Sequence, residues 1–301
     1  MGRVCLRETI GRIREELAAT EGVLVAFSGG VDSAVVAKLA HEALGDRAVA
    51  VTVDSRTFTR EELELAKKVA RLIGIRHIVI KHDQLDEPGF RSNPPERCYV
   101  CRRSLARRLG VLARKLGIAC IADGVNYSDL DEHRPGIRAA TEAGFLHPLM
   151  KHRVTKVGVR RMARALGLPV HDRPSSACLS SRIPYWEEIT PQKLRMIEEA
   201  ERYIRGLGFR QVRVRVHELG ARGCTRKRRA APGGRDASRK VEDSSGALLL
   251  ARVELDRAEL PRLLKGNLWR RVDAKLSRLG FSFITLDLRG YRSGSLDMLI
   301  V

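Results

Sequence analysis

Two groups of residues in this sequence could do chemistry: a short glycine-bearing turn and a set of cysteines. The turn is Ser28-Gly29-Gly30-Val31-Asp32-Ser33. The apolar run 22–27 (GVLVAF) reads as a strand leading into it, and 34–44 reads as the helix leaving it. Two glycines let the backbone turn tightly and approach a ligand, while the N–H groups and dipole at a helix start favour an anion. Ser28 and Ser33 add hydroxyl donors. Asp32 would repel a phosphate unless a divalent cation lay between them, which points to a magnesium-bound pyrophosphate; the other reading is that it only caps the helix. Neither GxxxxGK followed by Ser or Thr, nor GxGxxG after the first strand, occurs in the chain.

Cysteines stand at 5, 98, 101, 120, 178 and 224. Cys98 and Cys101 open a basic helix expected over 97–116, a spacing that lets two thiolates share a metal or cluster beside Arg97, Arg102 and Arg103. A redox pair, or two incidental thiols, would have the same spacing. Cys178 sits among small polar residues (PSSACLSSR, 174–182) with Arg173 and Arg182 nearby, the setting of a nucleophile or a metal ligand. Three thiolates with one open position suit a 4Fe-4S cluster with a labile iron better than a closed structural zinc, which wants four ligands. Zinc or a disulfide on Cys98 and Cys101 stays open as an alternative. Cys120 reads as strand core, and Cys5 and Cys224 as residues of mobile stretches.

The elements that must position these residues alternate between short β-branched runs and amphipathic stretches. Strands are expected at 22–27, 48–53, 77–81 and 118–122, and helices at 34–44, 61–73, 97–116 and 155–166. That alternation marks an α/β fold with a parallel sheet, Rossmann-like in arrangement. Pro169, Pro174 and Pro184 punctuate the next stretch. Beyond it the pattern changes to a helix at 191–207, strands at 211–217 and 247–255, a helix at 268–279 and a strand at 281–288, a second and smaller α+β domain. The expected division is 1–172, a connecting segment 173–190 carrying Cys178, and 191–301. Residues 222–240, rich in Arg, Gly, Ala and Pro, read as a mobile loop within a basic stretch near 220–246.

The 301 residues hold 56 Lys and Arg against 36 Asp and Glu, a net charge of +20. Such an excess suits either a polynucleotide or a small polyanion, and Arg outnumbers Lys by more than three to one. No apolar run approaches a membrane span, and residues 1–22 do not read as a signal peptide, so no membrane association and a cytoplasmic location are expected.

The turn SGGVDS is the motif of the PP-loop ATP pyrophosphatases, and the likeness extends along nearly the whole chain to one branch of them. The sequence resembles the ATP-dependent sacrificial sulfur transferase (LarE) family through VTVDS (51–55), NPPERCYVCRR (93–103), ADGVN (122–126), the RPG turn (134–136), HPL (147–149) and LGLPVHDRPSSACLSSRIPY (166–185). It continues through VRVRVH (212–217), ARVEL (251–255) and GFSFITLDLRGYRSGS (280–295). Only the Arg-rich stretch departs from the pattern.

The resemblance implies a PP-loop (HUP-type) domain that uses ATP and Mg2+, with Ser28, Gly29, Gly30, Asp32 and Ser33 around the pyrophosphate. It places Val53, Asp54 and Ser55 near the adenosine, and Asp123, Gly124 and Asn126 stand at the same carboxyl edge of the sheet. It implies adenylation of the carboxylates of pyridinium-3,5-biscarboxylic acid mononucleotide and sulfur insertion, giving thiocarboxylates for the nickel-pincer cofactor. Cys178 would be the catalytic cysteine. With Cys98 and Cys101 also present, the resemblance is to the form whose three cysteines hold a 4Fe-4S cluster carrying an extra sulfide. Arg213 and Arg215 match positions that bind substrate phosphate; the bland alternative is a solvated strand face. Glu187, Glu188, Arg252 and Glu254 are weaker candidates, read as solvated charges. A homo-oligomer, a hexamer by resemblance, is implied.

Three rival readings remain. A PP-loop tRNA thiolase would bind bulk tRNA with steep salt dependence, but no RNA-binding module is visible, so nucleic acid is not the expected partner. An amidating synthetase of the NAD or GMP type would leave the cysteines unexplained. A non-catalytic nucleotide sensor would bind ATP without releasing pyrophosphate.

Overall fold

The computed structural model describes residues 3–131, 134–174, 176–220, 247–292 and 294–296, with side chains from Leu6 onward. The expected basic loop at 222–240, with Cys224, lies outside the described residues. The chain forms two compact units, one ending at Cys178 and the other beginning at Leu179.

The first unit contains helices α1 (Arg3–Ala18), α2 (Val31–Leu44), α3 (Arg60–Ile73), α4 (Arg97–Lys115), α5 (Pro135–Glu142), α6 (Pro148–Lys151) and α7 (Lys156–Ala165). Its strands are β1 (Val23–Ala26), β2 (Ala48–Asp54), β3 (Arg76–Lys81) and β4 (Cys120–Ala122), parallel and ordered β3-β2-β1-β4. Alternation along the strands covers both faces. Val23, Val25, Ala48 and Ala50 join a core with α1, α2, α3 and α7, while Leu24, Val49 and Val51 pack against Ala106, Leu109 and Ala113 of α4. The strand order reverses between β1 and β4, so a crevice opens at their carboxyl ends, where open α/β sheets bind ligands. The expected α/β class and parallel sheet are what the fold shows.

Some local expectations change. The stretch before residue 22, read only for a possible leader, contains α1, so the backbone at Cys5 is helical rather than a mobile stretch. The RPG turn is the start of α5, with Pro135 at a helix position where its missing N–H costs nothing.

The second unit has α8 (Pro191–Gly206), β5 (Val212–Leu219), β6 (Leu248–Leu255), α9 (Leu260–Leu264), α10 (Leu268–Leu279) and β7 (Phe283–Leu286). Its sheet is mixed, in the order β5-β6-β7: β5 and β6 run antiparallel and β7 is parallel to β6. Thr190 caps α8 through its side chain, and the buried residues Leu194, Ile197, Ala200 and Ile204 recur on one helix face.

Candidate functional site

The glycine-bearing turn is held by its own hydroxyls and by α3. Gly29 has φ +72°, and a Cβ there would lie 2.6 Å from the Ala66 Cα, so only glycine fits between turn and helix. The Ser28 N–H donates to Ser33 Oγ at 3.2 Å, the two hydroxyls are 3.1 Å apart, and Ser33 Oγ donates to the Gly30 carbonyl at 3.2 Å. Helix α2 starts after Gly30 with no side-chain cap. Asp32 is therefore not the helix cap. Its carboxylate instead pairs with Lys156 Nζ and accepts from Asn126 Nδ2 at 3.1 Å.

The residues after β4 serve the turn directly. A Cβ on Gly124 would lie 2.6 Å from the Ser33 N atom, so this backbone lies against the start of α2. Asn126 also donates to Asp129 Oδ2 at 2.9 Å. Asp123 is buried, contacting Arg102 Nη2 at 2.7 Å and His147 Nδ1 at 2.8 Å and accepting from the Val125 N–H at 3.1 Å. Burial opposes its ionisation, but the Arg102 guanidinium and His147 outweigh that and hold its carboxyl below the usual range. At the end of β2, Val53 and Asp54 are half-buried, Asp54 pairs with Arg60 Nη1 at 2.8 Å, and buried Ser55 lies 3.1 Å from Thr57 Oγ1.

A cavity of about 160 Å³ opens over the turn, lined by Ser28, Gly30, Val31 and Asp32, by Phe58, Glu62 and Leu65, by Asp129, Arg134 and Lys156, and by Arg173, Pro174 and Ser176. Three cations and three carboxylates face it. Sequence reasoning missed Lys156, Glu62 and Asp129. Two of these left a signal: Lys156 is a cation at the first position of α7, where the dipole favours an acid, and Thr59 with Glu62 is a capping-box spacing.

Cys98 is exposed and Cys101 partly buried at the start of α4; Cys178 is exposed at the end of the first unit, and none of these, nor Cys120, is in a disulfide. Burial, and then the proximity of Cys178 and Cys98, push the Cys101 thiol up to about 12. The three expected cysteines are thus within electrostatic reach of one another. They do not converge on a point: among the described residues no group of three or more His, Cys, Asp or Glu could hold a single metal ion. Arg97, expected to favour the thiolates, is buried and donates from Nη1 to Asn93 Oδ1.

In the second unit, Arg213 and Arg215 do share a face of β5, but they are not solvated: their relative exposures are 6% and 5%. Arg215 donates to Glu254 Oε2 at 2.9 Å and to the Ser181 carbonyl at 2.6 Å. Glu254, read as a solvated charge, is fully buried and also accepts from Arg252 at 3.1 Å and Ser295 at 2.9 Å. Glu187 is half-buried as well, and only Glu188 is exposed. Arg213 lies over the Tyr291 ring at 5.2 Å and donates to the Val212 carbonyl at 2.9 Å. Its burial, with the like charge of Arg182, lowers its pKa to about 10 despite Glu201. A buried cation opposed by a like charge favours an anion beside it.

A parallel sheet of this order, with a Ser-Gly-Gly turn at its switch point, defines a nucleotide-binding domain of the PP-loop class. A family model for NAD synthase matches residues 6–90. An uncharacterized protein of Synechocystis sp. is 37% identical over 295 residues, covering 98% of this chain and 99% of its own. Pyridinium-3,5-bisthiocarboxylic acid mononucleotide synthase of Lactiplantibacillus plantarum is 34% identical over 276 residues, 91% of this chain and 88% of that protein. A glutamine-hydrolyzing GMP synthase of Chlamydia caviae is 29% identical over 181 residues, 54% of this chain and 35% of that protein. The chain belongs to the family of the pyridinium-3,5-bisthiocarboxylic acid mononucleotide synthase, the LarE family.

Proposed function

We propose that the protein is an ATP-dependent sulfur transferase that converts pyridinium-3,5-biscarboxylic acid mononucleotide to the thiocarboxylates of the nickel-pincer cofactor. A substrate carboxylate oxygen attacks the α-phosphorus of ATP and pyrophosphate leaves; sulfur then attacks the acyl carbon and AMP leaves. The turn 28–33 and the start of α2 would hold the pyrophosphate, with Lys156, Arg134 and Arg173 offsetting its charge. Asp32 faces the same cavity and would hold Mg2+ once Lys156 turns to the phosphates. Val53, Asp54 and Ser55 are assigned to the adenosine, and Arg213 and Arg215 to the substrate phosphate.

The observation that carries this reading is the placement of Cys178. Ser176 lines the cavity, and two residues of extended chain span at most about 7 Å between their Cα atoms, so the Cys178 thiol is tethered close to the phosphate turn. The same thiol is within electrostatic reach of Cys101. Cys98 and Cys178 both lie within electrostatic reach of Cys101, and three thiols leave one position open, which fits a polynuclear cluster better than a closed structural zinc. Cys98, Cys101 and Cys178 would therefore hold a 4Fe-4S cluster, which would carry an extra sulfide as the sulfur to be transferred. Ligation would draw the proton from Cys101, whose thiol otherwise stays protonated.

The test is incubation of anaerobically purified protein with ATP, Mg2+ and the biscarboxylate mononucleotide. Release of AMP and pyrophosphate with a mass gain of sulfur for oxygen in the substrate is expected. Pyrophosphate release without sulfur incorporation would contradict the proposal, and so would bulk tRNA as the only acceptor.

A further inference from the structure

We infer that Glu62 and Ser176 form a tie that positions the thiol-bearing segment against the nucleotide cavity. Glu62 is the third residue of α3, 8% exposed, and its two carboxylate oxygens are divided between two tasks. Oε2 accepts from the Thr59 N–H at 3.2 Å while Thr59 Oγ1 accepts from the Glu62 N–H at 3.1 Å, closing the capping box. Oε1 accepts from the hydroxyl of Ser176, two residues before Cys178. The capping box needs only one oxygen, and a glutamine would serve it as well without opposing the charge of bound phosphates. The second oxygen is not needed for the capping box and holds the Ser176 hydroxyl.

Glu62 also lies four residues before Ala66, on the same helix face, and Ala66 is the residue against which Gly29 packs. One short piece of α3 therefore touches both the phosphate turn and the segment leading to Cys178. The consequence for chemistry is one of timing and distance. An acyl-adenylate formed at the turn partitions between attack by the incoming sulfur and attack by water. Water attack gives back the carboxylate and AMP, so a displaced thiol segment uncouples AMP release from sulfur transfer.

This consequence rests on the proposed function, whereas the tie itself does not, and the test reads each separately. The first readout is the amide hydrogen-exchange rate of the peptide that contains residues 176–178 in the full chain, followed by mass. Ser176→Ala should raise that rate by up to about tenfold, the factor a charge-assisted hydrogen bond controls, and Ser176→Thr should restore it. The second readout is the ratio of AMP released to sulfur incorporated, which should rise severalfold in Ser176→Ala and return towards wild type in Ser176→Thr. An unchanged exchange rate overturns the tie whatever reaction the wild type performs, and an unchanged ratio overturns its role in transfer. A wild-type protein that forms no thiocarboxylate defeats the proposed function instead, and the exchange rates still decide the tie.

Discussion

Asp32 shows how much a single residue's role depends on partners far away in sequence. Its place in SGGVDS was legible from spacing, but its cation is Lys156, 124 residues on, and no local pattern announces that contact. Removing the cation takes away one of the three charges that would offset the phosphates: Lys156→Met is expected to raise the KM for ATP by about tenfold, measured by pyrophosphate release, with pyrophosphate binding weakened alongside. Cys101 carries a second prediction. A thiol at about 12 in place of 9.0 holds about a thousandfold less thiolate at pH 8, so it should alkylate far more slowly than exposed Cys98 in metal-free protein. Comparable rates at the two cysteines would refute this.

The elements were more legible than their surroundings. Period-two and period-3.6 patterns located all four strands of the parallel sheet and the helix after the turn, because each strand carries a continuous apolar run and each helix an apolar face. The face of β5 was misjudged for a physical reason. Alternation reveals that Arg213 and Arg215 point the same way, but not whether other residues cover them, and Glu254, Ser181 and Tyr291 do. Buried charges of this kind make the second unit sensitive to loss of one partner. Arg182 and Glu201 are 2% and 1% exposed and meet through two contacts, at 2.8 and 3.1 Å. Glu201→Ala, which removes the buried carboxylate that Arg182 meets, should cost about 3–5 kcal/mol in denaturant unfolding. A loss near zero would mean that the other contacts of the guanidinium, such as that with Ser181 Oγ, compensate for the lost carboxylate. Gly29→Ala should cost about 1–2 kcal/mol from its left-handed φ alone, and more from its overlap with Ala66.

At the scale of the whole molecule, part of the +20 charge lies inside the fold, since Arg97, Arg182, Arg213 and Arg215 are all buried. No helix among the described residues is long and apolar enough to cross a membrane. Two half-buried groups set opposing pH dependences of stability. Burial raises Glu187 to about 7 from 4.5, so the folded state binds the extra proton between those values and loses stability as pH rises through them. Burial lowers His217 to about 4 from 6.5, so there the unfolded state binds the extra proton and stability rises with pH. The two partly cancel in the wild type. Glu187→Gln should unmask the histidine, making the Tm at pH 7 exceed that at pH 5 by more than in the wild type; an identical difference would count against the raised Glu187 carboxyl.

The central claim, sulfur transfer by a three-thiol site beside a phosphate turn, is tested most directly by turnover number together with the mass of the protein afterwards. Anaerobic protein containing iron and acid-labile sulfide, supplied with ATP, the biscarboxylate mononucleotide and excess sodium sulfide, should transfer sulfur more than once per chain, leave the mass of Cys178 unchanged, and lose multiple turnover in Cys98→Ala. A single turnover with loss of about 34 Da at Cys178, the mass of hydrogen sulfide, would show instead that the cysteine gives up its own sulfur.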